Sequence, residues 1–461
     1  MGSRNEETRE ARHRRLAEED HRHLWHPFTQ MEEWLAEDPV VIDSAEGPYL
    51  VDTLGHRYLD GCSSLWCNVH GHRVPEIDRA VVEQLGKVAH TTLLGLASTA
   101  SVECAEALAR IAPPGLSRVF FSDSGSTAAE IALKMAYQHF QLGGQPERQE
   151  FLTIHGGYHG DTIGSVSLGG IDLFHRIFKP LLFPVRQAPQ PYCYRCPLGR
   201  TWPSCEMACA DEVERAFEAA PGRIAALVIE PVMQGADGMI AQPPGYLRRM
   251  RELCDRHGAL LVCDEVATGF GRTGTLFAVE QEGVRPDILT VAKGLTGGYL
   301  PLAATLVSEP VFESFLGPFG SKRTFFHGHT YTGNPLACAA AVASLRLLTE
   351  GGVLAAVPGK AALLARELAP LAAHPKVGEI RQRGLMVGIE LVRDRRTKEE
   401  YPYEARAGHQ VILEARRRGA ILRPLGNVVV LMPPLAIGDD ELARLARITR
   451  ESIEAAAERL S

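Results

Sequence analysis

Several features that would give this chain a simple role are missing from it. No apolar run approaches the length that crosses a bilayer, which excludes a transmembrane helix. The first residues, Met1–Arg22, contain no apolar core and cannot serve as a secretory signal. Gly2 invites a myristoylation reading, but Glu6 stands where that motif needs Ser or Thr. Positive charge is not in excess: 49 Lys and Arg against 56 Asp and Glu leave a net charge of −7. Nothing electrostatic therefore draws the chain to nucleic acid or to an anionic membrane. No Gly-Lys-Ser/Thr sequence makes a Walker loop, and no His-x-x-x-His pair backed by Glu makes a zinc site. A catalytic metal is not expected. No internal repeat is visible. The ten cysteines are spread through a long chain without a signal, so they read as mostly reduced thiols of a cytoplasmic protein.

At 461 residues the chain is too long for one ordinary core, and with 45% hydrophobic and 23% charged residues it has the composition of a globular protein. Residues 1–22 form a charged tail, a solvated helix or a frayed end. Residues 23–74 carry an aromatic arm and a β-hairpin, Tyr49–Asp52 with Arg57–Asp60, turned at Leu54-Gly55. From Pro75 to about Ala112 the apolar spacing is helical. Strands then alternate with helices to Leu348, which predicts a large α/β domain over 75–348 with a mostly parallel, doubly wound sheet. After Glu350-Gly351-Gly352 the order becomes helix, strand, helix, strands, helix. That predicts a smaller α+β domain over 349–461, which the N-terminal hairpin joins.

Two stretches organise the rest, Ala259–Gly271 and Ile288–Gly298. Each opens with an apolar run of strand length and ends in one charged residue, Asp264 and Lys293, followed by small residues. In an open parallel sheet ligands sit beyond the carboxyl ends of the strands. A lone acid and a lone amine there suit one cofactor held between them, although each alone reads equally as a strand-end charge in water. Burial disfavours the charged form of such a lysine and makes it a usable nucleophile and base.

Other segments point to the same place. Val119–Phe121 reads as a strand opening into Ser122-Asp123-Ser124-Gly125-Ser126-Thr127, with a strong helix behind it. Strand, Ser/Gly turn and helix start form an anion-binding geometry, or simply an ordinary N-cap. The strand Phe151–Ile154 leads to Tyr158-His159-Gly160, where glycine lets backbone approach a ligand and an aromatic can stack on a flat ring. Ile224–Ile229 is a buried strand ending at Glu230. A loop over 190–212 places Cys193-x-x-Cys196 ahead of Cys205 and Cys209, which reads as a structural metal or iron–sulfur site, a redox pair or free thiols.

Asp264-Glu265-Val266-Ala267-Thr268-Gly269-Phe270-Gly271-Arg272-Thr273-Gly274, followed by Ala292-Lys293-Gly294, resembles the class III aminotransferases of the fold-type I pyridoxal-phosphate enzymes. The likeness runs from about Leu24 to the C-terminus. Further segments are similar to the family's biotin-pathway branch: His23-Leu24-Trp25-His26-Pro27-Phe28, Ser63-Ser64-Leu65-Trp66, His327-Gly328-His329-Thr330 and Arg423-Pro424-Leu425-Gly426. That branch transfers an amino group from S-adenosylmethionine or L-lysine to 8-amino-7-oxononanoate. Rival readings are a related ω-aminotransferase acting on a diamine, 4-aminobutyrate or β-alanine, and a metal or iron–sulfur sensor on the same fold.

The resemblance implies pyridoxal 5′-phosphate as cofactor and a homodimer with shared active sites. It makes Lys293 the lysine bonded to the cofactor, Asp264 the partner of the ring nitrogen, and Tyr158 the residue stacked on the ring. Ser124, Gly125 and Ser126 would bind the phosphate, helped by Thr330 of the second subunit. His159, Glu230, Val266 and His329 would complete the cofactor site. Phe28, Trp66, Gly328 and Arg423 would meet the substrates, with Arg423 taking the carboxylate. Phe28 stands where the S-adenosylmethionine-using form has tyrosine, and Leu65 where it has a first tryptophan. These two departures leave the donor open between S-adenosylmethionine and lysine.

Overall fold

The structure is a computed structural model and describes residues 7–460. The reading of Gly2 and Glu6 lies outside the described residues. The charged N-terminal segment forms a helix, α1 (Arg9–His23), capped by Thr8. The helix is docked rather than frayed. His13 is buried and pairs with Thr53 Oγ1 at 2.7 Å, and Arg12 donates to Asp43 at 2.6 Å.

Seven strands build the central sheet: β1 (Leu116–Ser122), β2 (Glu150–Ile154), β3 (Arg186–Ala188), β4 (Ile224–Ile229), β5 (Leu260–Asp264), β6 (Ile288–Val291) and β7 (Ala303–Ser308). They lie in the order β1-β7-β6-β5-β4-β2-β3. β7 is antiparallel to both neighbours, and the remaining pairings are parallel. The central strands β4, β5 and β6 are buried at every residue. Their unbroken apolar runs, without in–out alternation, are what a strand covered on both faces requires.

The covering helices include α2 (Pro75–Leu85), α3 (Thr99–Ile111), α4 (Gly125–Leu142), α5 (Ala208–Glu218), α6 (Tyr246–His257) and α7 (Pro335–Glu350). α4 buries Ala128, Ile131, Ala132, Met135 and Ala136, the face its spacing predicts. The helical run expected over Pro75–Ala112 is instead two helices. α2 stops at Gly86, and α3 restarts behind Ser98, whose hydroxyl and Ser101 form a reciprocal capping box. Helical periodicity persists across such a break because both helices bury the same kind of stripe.

The smaller lobe adds α8 (Val353–Leu368), α9 (Ala407–Arg417) and α10 (Asp439–Arg459) around an antiparallel sheet. Its strands, in spatial order, are Val377–Arg383, Met386–Leu391, Val428–Leu431 and Arg423–Leu425. The strand Val377–Arg383 was not evident from sequence, because Glu379, Arg381 and Arg383 break its apolar pattern. A second small sheet joins the ends of the chain: Ala420–Ile421 pairs in parallel with Arg57–Asp60 of the N-terminal hairpin. No single described helix is long and apolar enough to cross a membrane.

Candidate active site

β5 and β6 are parallel neighbours, with Asp264 in register with Thr290, so both strands deliver their last residues to the same edge. Asp264 is 5% exposed. Its Oδ1 accepts from the Val266 N–H at 3.0 Å and the Thr290 hydroxyl at 3.2 Å. Its Oδ2 lies 2.7 Å from His159 Nδ1. Burial opposes charge on His159, but the bond to Asp264, with the charges of Asp264 and Glu230, outweighs it and raises the imidazole's pKa.

Lys293 follows β6 by two residues and adopts φ 44°, a left-handed conformation that costs a non-glycine residue energy and is kept where the surroundings enforce it. Its Nζ lies 5.3 Å from the ring centroid of Trp66. Burial lowers its pKa below the lysine range, against the opposing pull of Asp264 and Glu230. Glu230, just past the end of β4, accepts from the Tyr158 N–H at 3.1 Å through Oε1 and from the Gly235 N–H at 2.8 Å through Oε2. The Tyr158 hydroxyl donates to Asp161 at 2.7 Å.

The opposite wall is the N-terminus of α4. Ser124 caps it, accepting from the Thr127 N–H while Thr127 accepts from the Ser124 N–H. Ser126 Oγ accepts from the Asp161 N–H at 3.1 Å. A Cβ on Gly125 would come within 2.6 Å of Val266 Cγ1, and one on Gly160 would strike Ser126. Both glycines let three chain segments close around one space.

These pieces surround a cavity of ≈ 390 Å³. Trp66, Ser124, Gly125, Ser126, Tyr158, His159, Glu230, Asp264, Val266 and Lys293 all line it. Phe28, Gly328, His329, Thr330 and Arg423 do not. Phe28 lies edge-on to Phe174, which lies edge-on to Tyr158. His329 Nδ1 stands 2.8 Å from Asp123, a lining residue. Thr330 and Gly328 are exposed. Arg423 opens a strand of the smaller lobe, and its charge is felt by Tyr158.

Sequence reasoning missed Asp123, Asp161 and Arg272. The first two stand inside motifs already singled out. Arg272 is 1% exposed and donates to the carbonyls of Asn68 at 2.6 Å and Pro433 at 2.8 Å. It ties the Trp66 segment to the smaller lobe; burial holds its pKa down at about 10.

Pyridoxal phosphate fits this cavity by the chemistry of its walls. A depressed amine and a carboxylate meet at one sheet edge, and a helix N-terminus offers N–H groups and its positive dipole end to a phosphate. Trp66 Nε1 and His159 Nε2 are buried without a hydrogen-bond partner, so the polar complement of the site is incomplete without an occupant.

Comparison with known proteins agrees with this geometry. Residues 31–453 match the family described as aminotransferase class-III, and the chain belongs to that family. It is a pyridoxal-phosphate-dependent aminotransferase. A relative from Nitratidesulfovibrio vulgaris, named adenosylmethionine-8-amino-7-oxononanoate aminotransferase, is 57% identical over 446 residues, 96% of this chain and 82% of its own. The crystal structure of the enzyme of that name from Methanocaldococcus jannaschii superposes with a TM-score of 0.92 at 42% identity, covering 96% of this chain and 99% of its own. An omega transaminase from Pseudomonas jessenii, solved in complex with PMP, gives 0.93 at 31% identity, covering 96% and 99%.

One pH effect follows from the site alone. Burial is the largest influence on Glu230 and pushes its carboxyl up to about 7, against the charge of His159 and the two N–H donors. The folded protein therefore keeps a proton that the unfolded chain loses near the ordinary value of 4.5. The stability this contributes is complete below that value and is lost as pH rises towards 7. In the cofactor-free protein, Glu230→Gln should flatten this slope, a change on the order of 3 kcal/mol. Denaturant titrations across that pH range read it, and an unaltered slope would contradict the assignment.

Proposed function

We propose that this chain is the aminotransferase of biotin biosynthesis that converts 8-amino-7-oxononanoate to 7,8-diaminononanoate by a ping-pong exchange. The observation that carries the reading is the coincidence of Lys293, Asp264, Tyr158 and the Ser124–Ser126 helix start in one cavity, in a chain whose relatives of 57% and 42% identity bear the name of that enzyme. Bound there, the cofactor supplies a carbonyl that condenses with amines and a ring that accepts the electron pair of the substrate carbon.

The residues divide the remaining work. Lys293 Nζ, whose pKa burial lowers, takes the proton from the donor α-carbon. In the second half-reaction it delivers one to the former carbonyl carbon of the acceptor. Asp264 keeps a proton on the ring nitrogen, and His159 holds Asp264 in place from behind. Tyr158 would stack on the ring, while Gly125 and Ser126 would bind the phosphate by backbone and hydroxyl with Ser124 setting the cap. Glu230 and Val266, which line the same cavity, would hold the ring. Trp66 walls the apolar substrate chain. Arg423 anchors the acceptor's remote carboxylate, since a guanidinium fork meets both oxygens at once.

Thr330, with His329 and Gly328, completes the site of a second subunit in a homodimer. The support is the exposed apolar surface of that segment: Phe319 is 100% exposed and Phe326 81%, more than a lone chain ordinarily leaves in water. The ten thiols, all free, suit a cytoplasmic enzyme. The name of the relatives favours S-adenosylmethionine as donor. Phe28 and Leu65, both exposed, favour L-lysine, because a hydroxyl and a flat aromatic that would grip the sulfonium donor are replaced.

The test is a pair of half-reactions. The yellow enzyme should be bleached by one of the two donors, and the bleached form should recover its colour with 8-amino-7-oxononanoate but not with pyruvate or 2-oxoglutarate. Arg423→Ala should raise the KM for that acceptor by roughly 10²-fold, the cost of leaving a carboxylate without its paired cation. Recovery with pyruvate alone would instead assign the chain to the broader ω-aminotransferases.

A further inference from the structure

The 193–209 segment is the one chemistry-bearing motif that transamination does not use. Its four cysteines fall within a turn-rich stretch between β3 and α5. All four line one cavity of ≈ 10 Å³, with Trp202 and Met207 among its other walls. That space admits a single small occupant. Cys209 is buried and the other three are half-buried, and none is in a disulfide. Thiols gathered in this way become thiolates only when a cation shares their charge.

We propose that Cys193, Cys196, Cys205 and Cys209 form a structural site for one zinc ion, separate from the catalytic cavity. The spacings C-x₂-C and C-x₃-C are those of zinc-ligand pairs, and four sulfur ligands with no open position make a structural rather than a catalytic centre. Soft thiolates select zinc or an iron–sulfur cluster among biological metals, and a cavity this small suits an ion rather than a cluster. As the loop stands, no three described His, Cys, Asp or Glu side chains are arranged to hold a metal ion. The proposal therefore requires the sulfurs to draw inward on binding, from a loop that is a run of successive turns. The thiols release their protons as the ion enters, so binding weakens as pH falls.

The site has a mechanical route to the rest of the enzyme. Just ahead of Cys193, Gln190 donates to Asp237 at 2.7 Å and Tyr192 donates to Glu390 at 2.8 Å. Arg195 also donates to Glu390. Arg381 donates to the Tyr192 hydroxyl and to the Gly238 carbonyl. The turn held in this way, 235–238, is the one whose Gly235 N–H binds Glu230. Zinc in the loop fixes that turn from outside and leaves the reacting groups untouched.

Elemental analysis of the full-length holoenzyme, purified without chelator or metal-affinity steps, should find about one zinc per chain. Exchange with cobalt(II) should give d–d bands in the red, clear of the cofactor's absorption, with the intensity of a tetrahedral thiolate site. The Cys193→Ser/Cys205→Ser double variant should lose both the metal and the bands. Cys196→Ser, as a milder change, should bind the metal more weakly and melt several degrees lower while keeping its cofactor colour. The proposal is overturned if the wild-type protein is free of metal, takes up no cobalt and shows four reactive thiols or disulfides in the loop. It is equally overturned if the double variant retains its zinc.

Discussion

Lys293→Ala should lose turnover by about 10⁴-fold or more, the upper range for removing a positioned base, and lose the covalent attachment of the cofactor as well. The expectation rests on the way the chain treats this one side chain. Its side chain is half-buried with the amine facing Trp66, its pKa is pulled down by desolvation, and its backbone is held at a φ of 44° that lysine seldom adopts. The variant should fold, because alanine removes a poorly solvated charge and leaves no partner stranded in a hydrogen bond. It should also still bind the cofactor, since Ser124–Ser126, Asp264 and Tyr158 remain. Lys293→Arg should be as inactive as the alanine variant, because a guanidinium does not surrender its proton at any working pH. Single-turnover spectra with donor amine separate the two losses. An alanine variant that keeps near-normal turnover would remove Lys293 from the chemistry.

Asp264→Ala should be the second most damaging change, lowering turnover roughly 10²–10³-fold, the usual worth of a preorganised electrostatic partner. The carboxylate has three hydrogen-bonding neighbours. Val266 and Thr290 satisfy Oδ1, and His159 holds Oδ2. Asp264→Asn separates charge from packing: its amide oxygen can keep the bonds from Val266 and Thr290 but carries no charge. If the charge is what matters, the asparagine variant should fall nearly as far as the alanine one. His159 should also lose the cause of its raised pKa, and each variant should lose on the order of 1–3 kcal/mol of stability for the buried partner left unpaired. Equal activity of the asparagine variant and the parent would show that Asp264 serves only as a scaffold.

The cofactor side of the cavity was legible in the sequence because each part is local. Asp264 ends one apolar strand and Lys293 follows another by two residues, and a parallel sheet brings such termini to one edge whatever the loops do. Ser124–Ser126 and Tyr158–Gly160 likewise follow single strands. The hydrogen-bond pattern inside the cavity was less legible. Asp161 binds Tyr158 and Ser126 through the turn at Gly160, a conformation that no residue count reveals. Arg272 lies in the most recognisable motif of the chain, but its bonds to Asn68 and Pro433 cross 204 and 161 residues. Such long-range closure depends on how the lobes meet. Phe28, Thr330 and Arg423 lie outside the cavity lining because two come from segments that the cavity-forming strands do not control, and Thr330 is exposed on the surface of its own chain. The same limit explains the missed strand Val377–Arg383. Its Arg381 is spent on Glu390, Tyr192 and the Gly238 carbonyl, contacts that a pattern of apolar residues cannot register.

The measurement that bears most directly on this description is reduction of the yellow enzyme with borohydride, followed by peptide mapping. The cofactor should be found fixed to a single peptide, on the side chain at position 293. A label on any other lysine, or none at all, would mean that the amine beyond β6 is an ordinary buried charge and that the cavity serves some other chemistry.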